Sequence, residues 1–315
     1  MNSIRLCNVY LCGLGALGAM YAAQLAAVPG IRVRAIADAA RIARTREVSV
    51  NGRPFAPAWL SPDQLSPEGA APPADLLIVA VKWHQLEAAI ATMRPFVGPA
   101  TTIISLLNGI ASEEVLGRAF GAEHLLTALV IETDAMKRGD EIRFSKVGTI
   151  VFGERRNDPP SPRVEAIRAL FGRAAIPCRV PRDMQRELWW KFMLNVGINQ
   201  ISAVLHTTYG SFSRLPQARE LMRLACREVV RLAECEGIAL AEEDIEGFFP
   251  IFARLSPGGK PSMLQDVEAH RKTEVEMFAG TVVELGRRHG VPTPVNATLL
   301  AMIQVIEQSW TTPEG

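Results

Sequence analysis

Between Glu187 and Asn199 the chain reads Glu-Leu-Trp-Trp-Lys-Phe-Met-Leu-Asn-Val-Gly-Ile-Asn. Helical periodicity puts Lys191, Asn195 and Asn199 on one face, each one turn beyond the last. The positions around them (Leu188, Trp189, Trp190, Phe192, Met193, Leu194, Val196, Ile198) are apolar, and a helix apolar almost all round is expected to be buried. An ammonium and two carboxamides inside a core need partners, because unpaired burial is costly. Other side chains could supply them, with a carboxylate for Lys191, or a polar ligand could. The residue types on offer are one ammonium, a donor only, and two carboxamides that donate and accept without charge.

A second constellation lies near the start of the chain. Leu6 to Cys12 reads as a short buried strand. It is followed by Gly13-Leu14-Gly15-Ala16-Leu17-Gly18, an Ala-rich helix to about Val28, a turn at Pro29-Gly30 and a strand from Arg32 to Ala37. Gly-x-Gly-x-x-Gly between a strand and a helix is a dinucleotide-binding fingerprint. The glycines permit a tight turn and close backbone approach to a pyrophosphate, and the helix N-terminus offers its N–H groups to the phosphates. Asp38 closes the second strand about 20 residues past Gly18, where a carboxylate bonds the ribose 2′-hydroxyl of NAD and repels the 2′-phosphate of NADP. Arg41 and Arg44 could cradle that phosphate instead, and Asp38 could simply cap the next helix. Both NAD and NADP therefore stay open as cofactors.

The elements that must position these residues fill 315 positions, a length that suits two domains. Lys+Arg 34 against Asp+Glu 33 leaves a formal charge of +1, and no basic block interleaved with aromatics points to nucleic acid. Cys7, Cys12, Cys178, Cys226 and Cys235 are scattered without metal-ligand spacing, so reduced thiols in a cytoplasmic protein are expected, with no metal. Residues 8–28 carry no charge, which raises a signal peptide or membrane helix. The turn glycines Gly13, Gly15 and Gly18 break that stretch, and no membrane association is expected.

Val48 to Gly52 reads as a strand and turn, and Pro54 to Pro73 as a long surface connection. Asp75 to Val81 and Thr101 to Leu107 are continuous apolar strands ending in Lys82-Trp-His84 and Asn108-Gly109. Ligands bind beyond the carboxyl ends of such strands, which makes Lys82 and Asn108 candidates; in isolation they read as a solvated lysine and a turn asparagine. Leu125 to Thr133 and Thr149 to Phe152 are further strands. A helix from Arg163 to Gly172 and a strand from Cys178 to Val180 close a first domain over 1–181. The remainder, 182–315, is expected to be almost wholly helical, with scaffold helices over Leu215 to Glu236 and Glu242 to Arg254. Ser262-Met-Leu-Gln265 has the form of a capping box opening a long helix, along which Ser262 and Glu274 would stand roughly 18 Å apart. Glu274 is either a surface carboxylate paired with Arg271 or Lys272 or, if it faces inward, the counter-ion of Lys191. The fold expected is α/β: an N-terminal Rossmann-type doubly wound sheet plus an all-α C-terminal domain with apolar surface enough to suggest a homodimer.

With these pieces in place the chain resembles the ketopantoate reductase (2-dehydropantoate 2-reductase) family over nearly its full length. The resemblance is carried by Gly13-x-Gly15-x-x-Gly18, Val81-Lys82, Leu107-Asn108-Gly109 and Glu187-Leu-Trp-x-Lys191 with Asn195 and Asn199. Ser262-Met-Leu-Gln-Asp266 continuing into Arg271-x-Thr-Glu274, and the tail His289-Gly-Val-Pro-Thr-Pro-Val-Asn296, complete it. It implies an active site between the two domains and NADPH-dependent reduction of ketopantoate, a 2-oxo acid, to pantoate in pantothenate synthesis. It also implies Lys191 as general acid with Glu274 as its partner. Asn108, Asn195, Asn199 and Ser262 would hold the substrate, while Lys82 and Asn108 would lie beside the cofactor. The chemistry agrees, since hydride transfer to a ketone builds negative charge on oxygen that an adjacent ammonium can stabilise and protonate. Two features depart from the family pattern. Asp38 stands where an arginine is usual, and Tyr209 and Gly259 stand where some relatives carry further substrate-binding asparagines. Asp38 favours the alternative of an NADH-dependent 2-hydroxyacid dehydrogenase on the same scaffold. A non-catalytic nucleotide-sensing module would need only the glycines, and the intact set Lys191, Asn195, Asn199 and Glu274 argues against it.

Overall fold

A computed structural model describes residues 4–44, 47–64 and 71–310. The chain divides into two compact units, residues 1–107 with 112–185, and residues 108–111 with 186–315.

The first unit runs β1 (Asn8–Cys12), α1 (Ala16–Ala26), β2 (Arg32–Ile36), α2 (Ala39–Arg44), β3 (Val48–Val50), β4 (Arg53–Phe55), β5 (Ala58–Leu60) and β6 (Leu76–Val79). It continues with α3 (Leu86–Met93), β7 (Thr102–Ser105), α4 (Ser112–Phe120), β8 (Leu125–Ile131), β9 (Met136–Arg138), β10 (Glu141–Arg143), β11 (Thr149–Gly153), α5 (Pro162–Arg173) and β12 (Cys178–Arg179). Eight strands form one sheet in the order β12-β11-β8-β7-β6-β1-β2-β5. Every neighbouring pair is parallel except β8 with β11. The central strands β1, β6 and β7 are buried along their whole length, as unbroken apolar runs in a parallel sheet require. The chain leaves β1 towards β2 on one side and returns at β6 on the other. The sheet therefore switches direction between β1 and β6, the place where doubly wound folds open their ligand crevice.

Part of the Pro54 to Pro73 stretch is not a bare connection. Arg53–Phe55 pairs with β3, and Ala58–Leu60 adds a parallel strand beside β2, because Phe55 and Trp59 pack against the core. Pro54 is tolerated since β4 is an edge strand of a second, four-stranded sheet, β4-β3-β10-β9. Residues 65–70 of the stretch lie outside the described residues.

The second unit is helical: α6 (Met184–Leu205, whose first two residues belong to the first unit), α7 (Tyr209–Arg214), α8 (Pro216–Cys235), α9 (Glu242–Glu246), α10 (Phe248–Arg254), α11 (Ser262–Glu268), a π turn at Glu276–Gly280, α12 (Thr281–His289) and α13 (Pro294–Ser309). Trp189, Phe192, Met193, Val196, Ile198 and Ile201 of α6 enter its core together with Met222, Cys226 and Val229 of α8 and Phe248 and Phe252 of α10. Gly197 is what allows α8 to lie so near, since a Cβ there would come within 2.6 Å of Cys226 Sγ. The buried Glu228 of α8 accepts the N–H groups of Val295 and Asn296 and the Asn296 side-chain amide. A carboxylate thus satisfies the otherwise orphaned first-turn donors of α13. Asn296 Oδ1 in turn accepts Gln200 Nε2 from α6 at 3.1 Å.

Two expectations for this unit change. The stretch Glu242 to Arg254 is two helices broken at Gly247, which leaves Pro250 in a first turn where proline is tolerated. The long helix expected from Ser262 stops at Glu268. There the Arg271 N–H turns back to Asp266 O at 2.9 Å, Arg271 Nε bonds Asp266 Oδ1 at 3.0 Å, and His270 takes a left-handed φ of 48°. Among the described residues no helix is long and apolar enough to cross a membrane. No group of three or more His, Cys, Asp or Glu side chains among them could hold a metal ion.

Candidate active site

The polar face of α6 lies within the second unit. Lys191 and Asn195 are half-buried and Asn199 is buried. Lys191 and Asn199 acquire partners from elsewhere in the sequence, and Asn195 is bonded by Asn199. Lys191 Nζ donates to Asn108 Oδ1 at 3.1 Å, and Asn108 Nδ2 donates to Glu274 Oε2, also at 3.1 Å. Asn199 Nδ2 donates to Asn195 Oδ1 at 3.2 Å, while Asn199 Oδ1 accepts Ser262 Oγ at 3.0 Å and the Met263 N–H at 3.3 Å. The Met263 N–H is a first-turn donor of α11, whose N-cap position is Pro261. Asn199 therefore caps α11 from another helix, and Ser262 is not the capping-box residue its sequence suggested. Its hydroxyl serves the α6 stripe instead.

Asn108 reaches the stripe because residues 108–111 belong to the helical unit. The turn after it is tight: Gly109 has φ +84°, and a Cβ there would lie 2.6 Å from Met277 Cγ in the π turn that follows Glu274. A glycine at 109 thus brings the Asn108 loop against the segment carrying Glu274. That carboxylate is buried, 8% exposed. Its two sequence neighbours are otherwise engaged, Arg271 with Asp266, and Lys272 with Glu276 and Glu307. The Ser262–Glu274 separation along one straight helix no longer applies, because the helix ends between them. Through Asn199 and through Asn108 the two residues serve opposite ends of the Lys191–Asn199 stripe, a span of about 12 Å along α6.

Tyr209 and Gly259 form one packing unit. The Tyr209 N–H donates to Gly259 O at 3.0 Å, the Tyr209 ring stacks on Phe252, and a Cβ at 259 would come 2.9 Å from Tyr209 Cδ2. Burial pushes the Tyr209 phenol up from its ordinary range.

In the first unit the glycine loop fits the pyrophosphate of a dinucleotide. Gly13 has φ +99°, and a Cβ there would strike Ala80 O at 2.5 Å, so the loops that follow β1 and β6 meet at the switch point. A Cβ at Gly18 would lie 1.9 Å from Gly13 O, whereas one at Gly15 would meet nothing within 4 Å. The backbone is thus packed tight on the protein side and open at Gly15, and Leu14, Ala16 and Leu17 complete the loop into the first turn of α1. Asp38 is exposed, and its Oδ1 accepts the Arg41 N–H at 2.7 Å, so it does cap α2. One such bond leaves most of a carboxylate's acceptor capacity for a ribose hydroxyl. Lys82 is exposed at the start of the short turn Trp83–Gln85, with its N–H bonded to Gln85 Oε1. Two grooves beside the small sheet, lined by Asn51, Phe55, Asp134 and Phe144 among others, include none of the candidate residues.

Comparison with known proteins finds two family models on this chain. The one described as "Ketopantoate reductase PanE/ApbA" matches residues 9–157, and "Ketopantoate reductase PanE/ApbA C terminal" matches residues 183–307. A 2-dehydropantoate 2-reductase of Halobacterium salinarum is 30% identical over 75% of this chain and 77% of its own length. Among solved structures, a ternary complex of D-mandelate dehydrogenase with NADH and anilino(oxo)acetate has a TM-score of 0.85 at 19% identity, covering 97% of this chain and 99% of the other. A dimeric ketopantoate reductase from Staphylococcus aureus has a TM-score of 0.79 at 21% identity, covering 96% and 99%. At those identities the two structures speak for the fold.

Proposed function

The chain belongs to the ketopantoate reductase family, and on that premise we propose that it reduces a 2-oxo acid, ketopantoate first among candidates, with a reduced nicotinamide dinucleotide. The observation that carries this reading is the hydrogen-bonded run Lys191–Asn108–Glu274, whose lysine shares one face of α6 with Asn195 and with Asn199, the partner of Ser262. The glycine loop at Gly13 to Gly18, with the N-terminus of α1, would hold the dinucleotide, which when bound supplies a hydride.

As the 2-oxo carbon is reduced, negative charge grows on its oxygen. The Lys191 ammonium stabilises that charge and donates the proton that completes the alcohol, a role worth about 10²- to 10⁴-fold for a positioned acid. Asn108 fixes the direction of the ammonium, and Glu274 favours its return to the charged form. Asn195, Asn199 and Ser262 orient the substrate's hydroxyl and carboxylate oxygens without adding charge. The homodimer reading is carried by the dimeric relative of like fold.

A second reading is favoured by Asp38, exposed at the end of β2: an NADH-linked 2-hydroxyacid dehydrogenase. The deciding measurement is absorbance at 340 nm with ketopantoate, once with NADPH and once with NADH. Fast NADPH oxidation supports the first reading. Activity with NADH alone, or only on other 2-oxo acids, makes the second correct, and no turnover of any 2-oxo acid refutes both.

A further inference from the structure

Glu274 sits on a stretch, residues 269–274, that is not helical. Such a stretch needs something to hold its shape, and α13 supplies it. Glu307 Oε1 accepts the Thr273 N–H at 2.7 Å, and Glu307 Oε2 accepts Lys272 Nζ at 2.8 Å. Lys272 also donates to Glu276 Oε1 at 2.9 Å, and the His270 ring stacks on Trp310 with centroids 5.3 Å apart. The Glu307 side chain is only 9% exposed. Burial pushes its carboxyl up, but hydrogen bonds from Lys272 and Thr273 outweigh this and hold it below the usual range.

We propose that Glu307 is a positioning residue for the reaction: it fixes the Lys272–Thr273 peptide, one residue before Glu274, and so aims that carboxylate at Asn108 and, through Asn108, steadies Lys191. The inference rests on the reading of Lys191 as acid and Glu274 as its partner. The chemistry of the contact is selective. Both groups facing Glu307 are donors, and a carboxylate offers two acceptor oxygens, whereas a glutamine of the same shape must turn its NH₂ towards one of them. The Thr273 peptide or the Lys272 ammonium is then repelled, and Glu274 moves with the segment.

The test compares Glu307→Gln, Lys272→Met and Glu274→Gln in the 340 nm assay, with Tm measured for each. Glu274→Gln is expected to lower kcat at least about tenfold. Glu307→Gln should lower kcat about tenfold, the scale of a sub-ångström misplacement, with KM for the dinucleotide within about twofold of wild type. Lys272→Met leaves the Thr273 N–H bonded and should keep kcat within about threefold. Wild-type kcat in Glu307→Gln beside a crippled Glu274→Gln overturns the proposal. So does a kcat loss shared equally by Lys272→Met and tracking Tm, which would mark a merely structural contact. Wild-type turnover in Glu274→Gln removes the underlying reading and the proposal with it. Should Glu307→Gln fail to fold, Glu307→Asp carries the test: its shorter reach should lower kcat with Tm near wild type, and an unchanged kcat overturns the proposal.

Discussion

Gly15 and Gly18 stand three residues apart at the β1–α1 junction, the first at the N-cap of α1 and the second in its first turn, yet adding a methyl group to each should have opposite consequences. At Gly18 the new Cβ would fall 1.9 Å from Gly13 O and 3.3 Å from the Ala80 Cβ. Real Cβ atoms essentially never come closer than 3.0 Å to such a neighbour, so the β1–α1 turn must open by more than an ångström of backbone. Overpacking of this kind costs about 1–3 kcal/mol, and the obstruction is main chain, so the upper end applies. For a unit of this size, about 3 kcal/mol lowers Tm by roughly 6–12 °C. At Gly15 the φ of −73° suits any residue, and the Cβ meets no protein atom within 4 Å. Gly15→Ala should therefore leave Tm unchanged or raise it slightly, since alanine lowers unfolded-chain entropy and adds at most ~0.4–1 kcal/mol of stability. Its methyl would instead meet the pyrophosphate, and the same ~1–3 kcal/mol appears as a roughly 5- to 150-fold weaker Kd. Thermal melts paired with titrations of NADPH and NADH read both quantities. Wild-type dinucleotide affinity in Gly15→Ala would refute the assignment of this loop to the phosphates, and a wild-type melt in Gly18→Ala would refute the steric argument.

Lys191→Ala should lower kcat by about 10²- to 10⁴-fold; turnover within a few-fold of wild type would show that another group protonates the product. Asn199→Leu strips three hydrogen bonds from a buried position and leaves the Ser262 hydroxyl and the Met263 N–H without that acceptor. It should destabilise the protein by about 1–3 kcal/mol and raise the KM for the oxo acid, and unchanged values of both would contradict its double role. Thiol labelling of the native protein should modify the exposed Cys235 first. Burial pushes the Cys12 thiol up to about 12 and also drives the Cys226 thiol upward, so rapid labelling of either before unfolding would be inconsistent with the packing. Of the carboxylates held below their ordinary range (Asp134, Glu154, Glu246 and Glu307), the two half-buried ones, Glu154 and Glu307, tie stability most to acid pH. Glu154 is held below its ordinary 4.5 by hydrogen bonds from Arg163, and Glu307 is held below 4.5 because the bonds from Lys272 and Thr273 outweigh burial. Groups with a depressed folded-state pKa contribute fully above the unfolded value and lose that contribution as pH falls through the folded one. Tm should therefore decline below about pH 4.5, and Glu154→Gln with Glu307→Gln should flatten that decline; a parallel curve would exclude them as its source.

How far the sequence alone reaches can be seen element by element. β1, β6 and β7 are legible because a strand buried on both faces must be an unbroken apolar run, and the glycines announce the turn that follows β1. α6 is legible as buried, and its stripe as a line of polar groups in need of partners. Those partners are the illegible part. β9 and β10 escape notice because Met-Lys-Arg and Glu-Ile-Arg carry no apolar periodicity; they are held by backbone pairing to β3 and to each other. The break after Glu268 is set by Arg271 turning back onto Asp266, a contact that helical patterning does not reveal. Asn108 reads as a turn residue at a strand end, and only the fold assigns it to the helical unit, 83 residues before Lys191. Glu307 carries no signal in the sequence, and only the packing of α13 brings it to Thr273 and Lys272.

The orientation of every amide in the stripe follows from two groups whose polarity cannot change. The Lys191 ammonium has only donors, so Asn108 must present Oδ1 to it, and the opposite end, Nδ2, then meets the Glu274 carboxylate as a donor should. A carboxylate at 108 would repel Glu274, and an apolar residue would take a partner from both ends. Among the uncharged side chains, a carboxamide joins an ammonium to a carboxylate while adding no charge of its own. At the other end of the helix face the Met263 N–H is fixed as a donor, so Asn199 must turn Oδ1 towards it and Nδ2 towards Asn195. Asn195 has then no choice but to spend its oxygen on Asn199. On the reading proposed above, this leaves the Asn195 Nδ2 group as the donor presented to a substrate oxygen, one turn from the Lys191 ammonium. The helix cap thus decides, through Asn199, which way the Asn195 amide points, while the lysine separately decides the direction of Asn108.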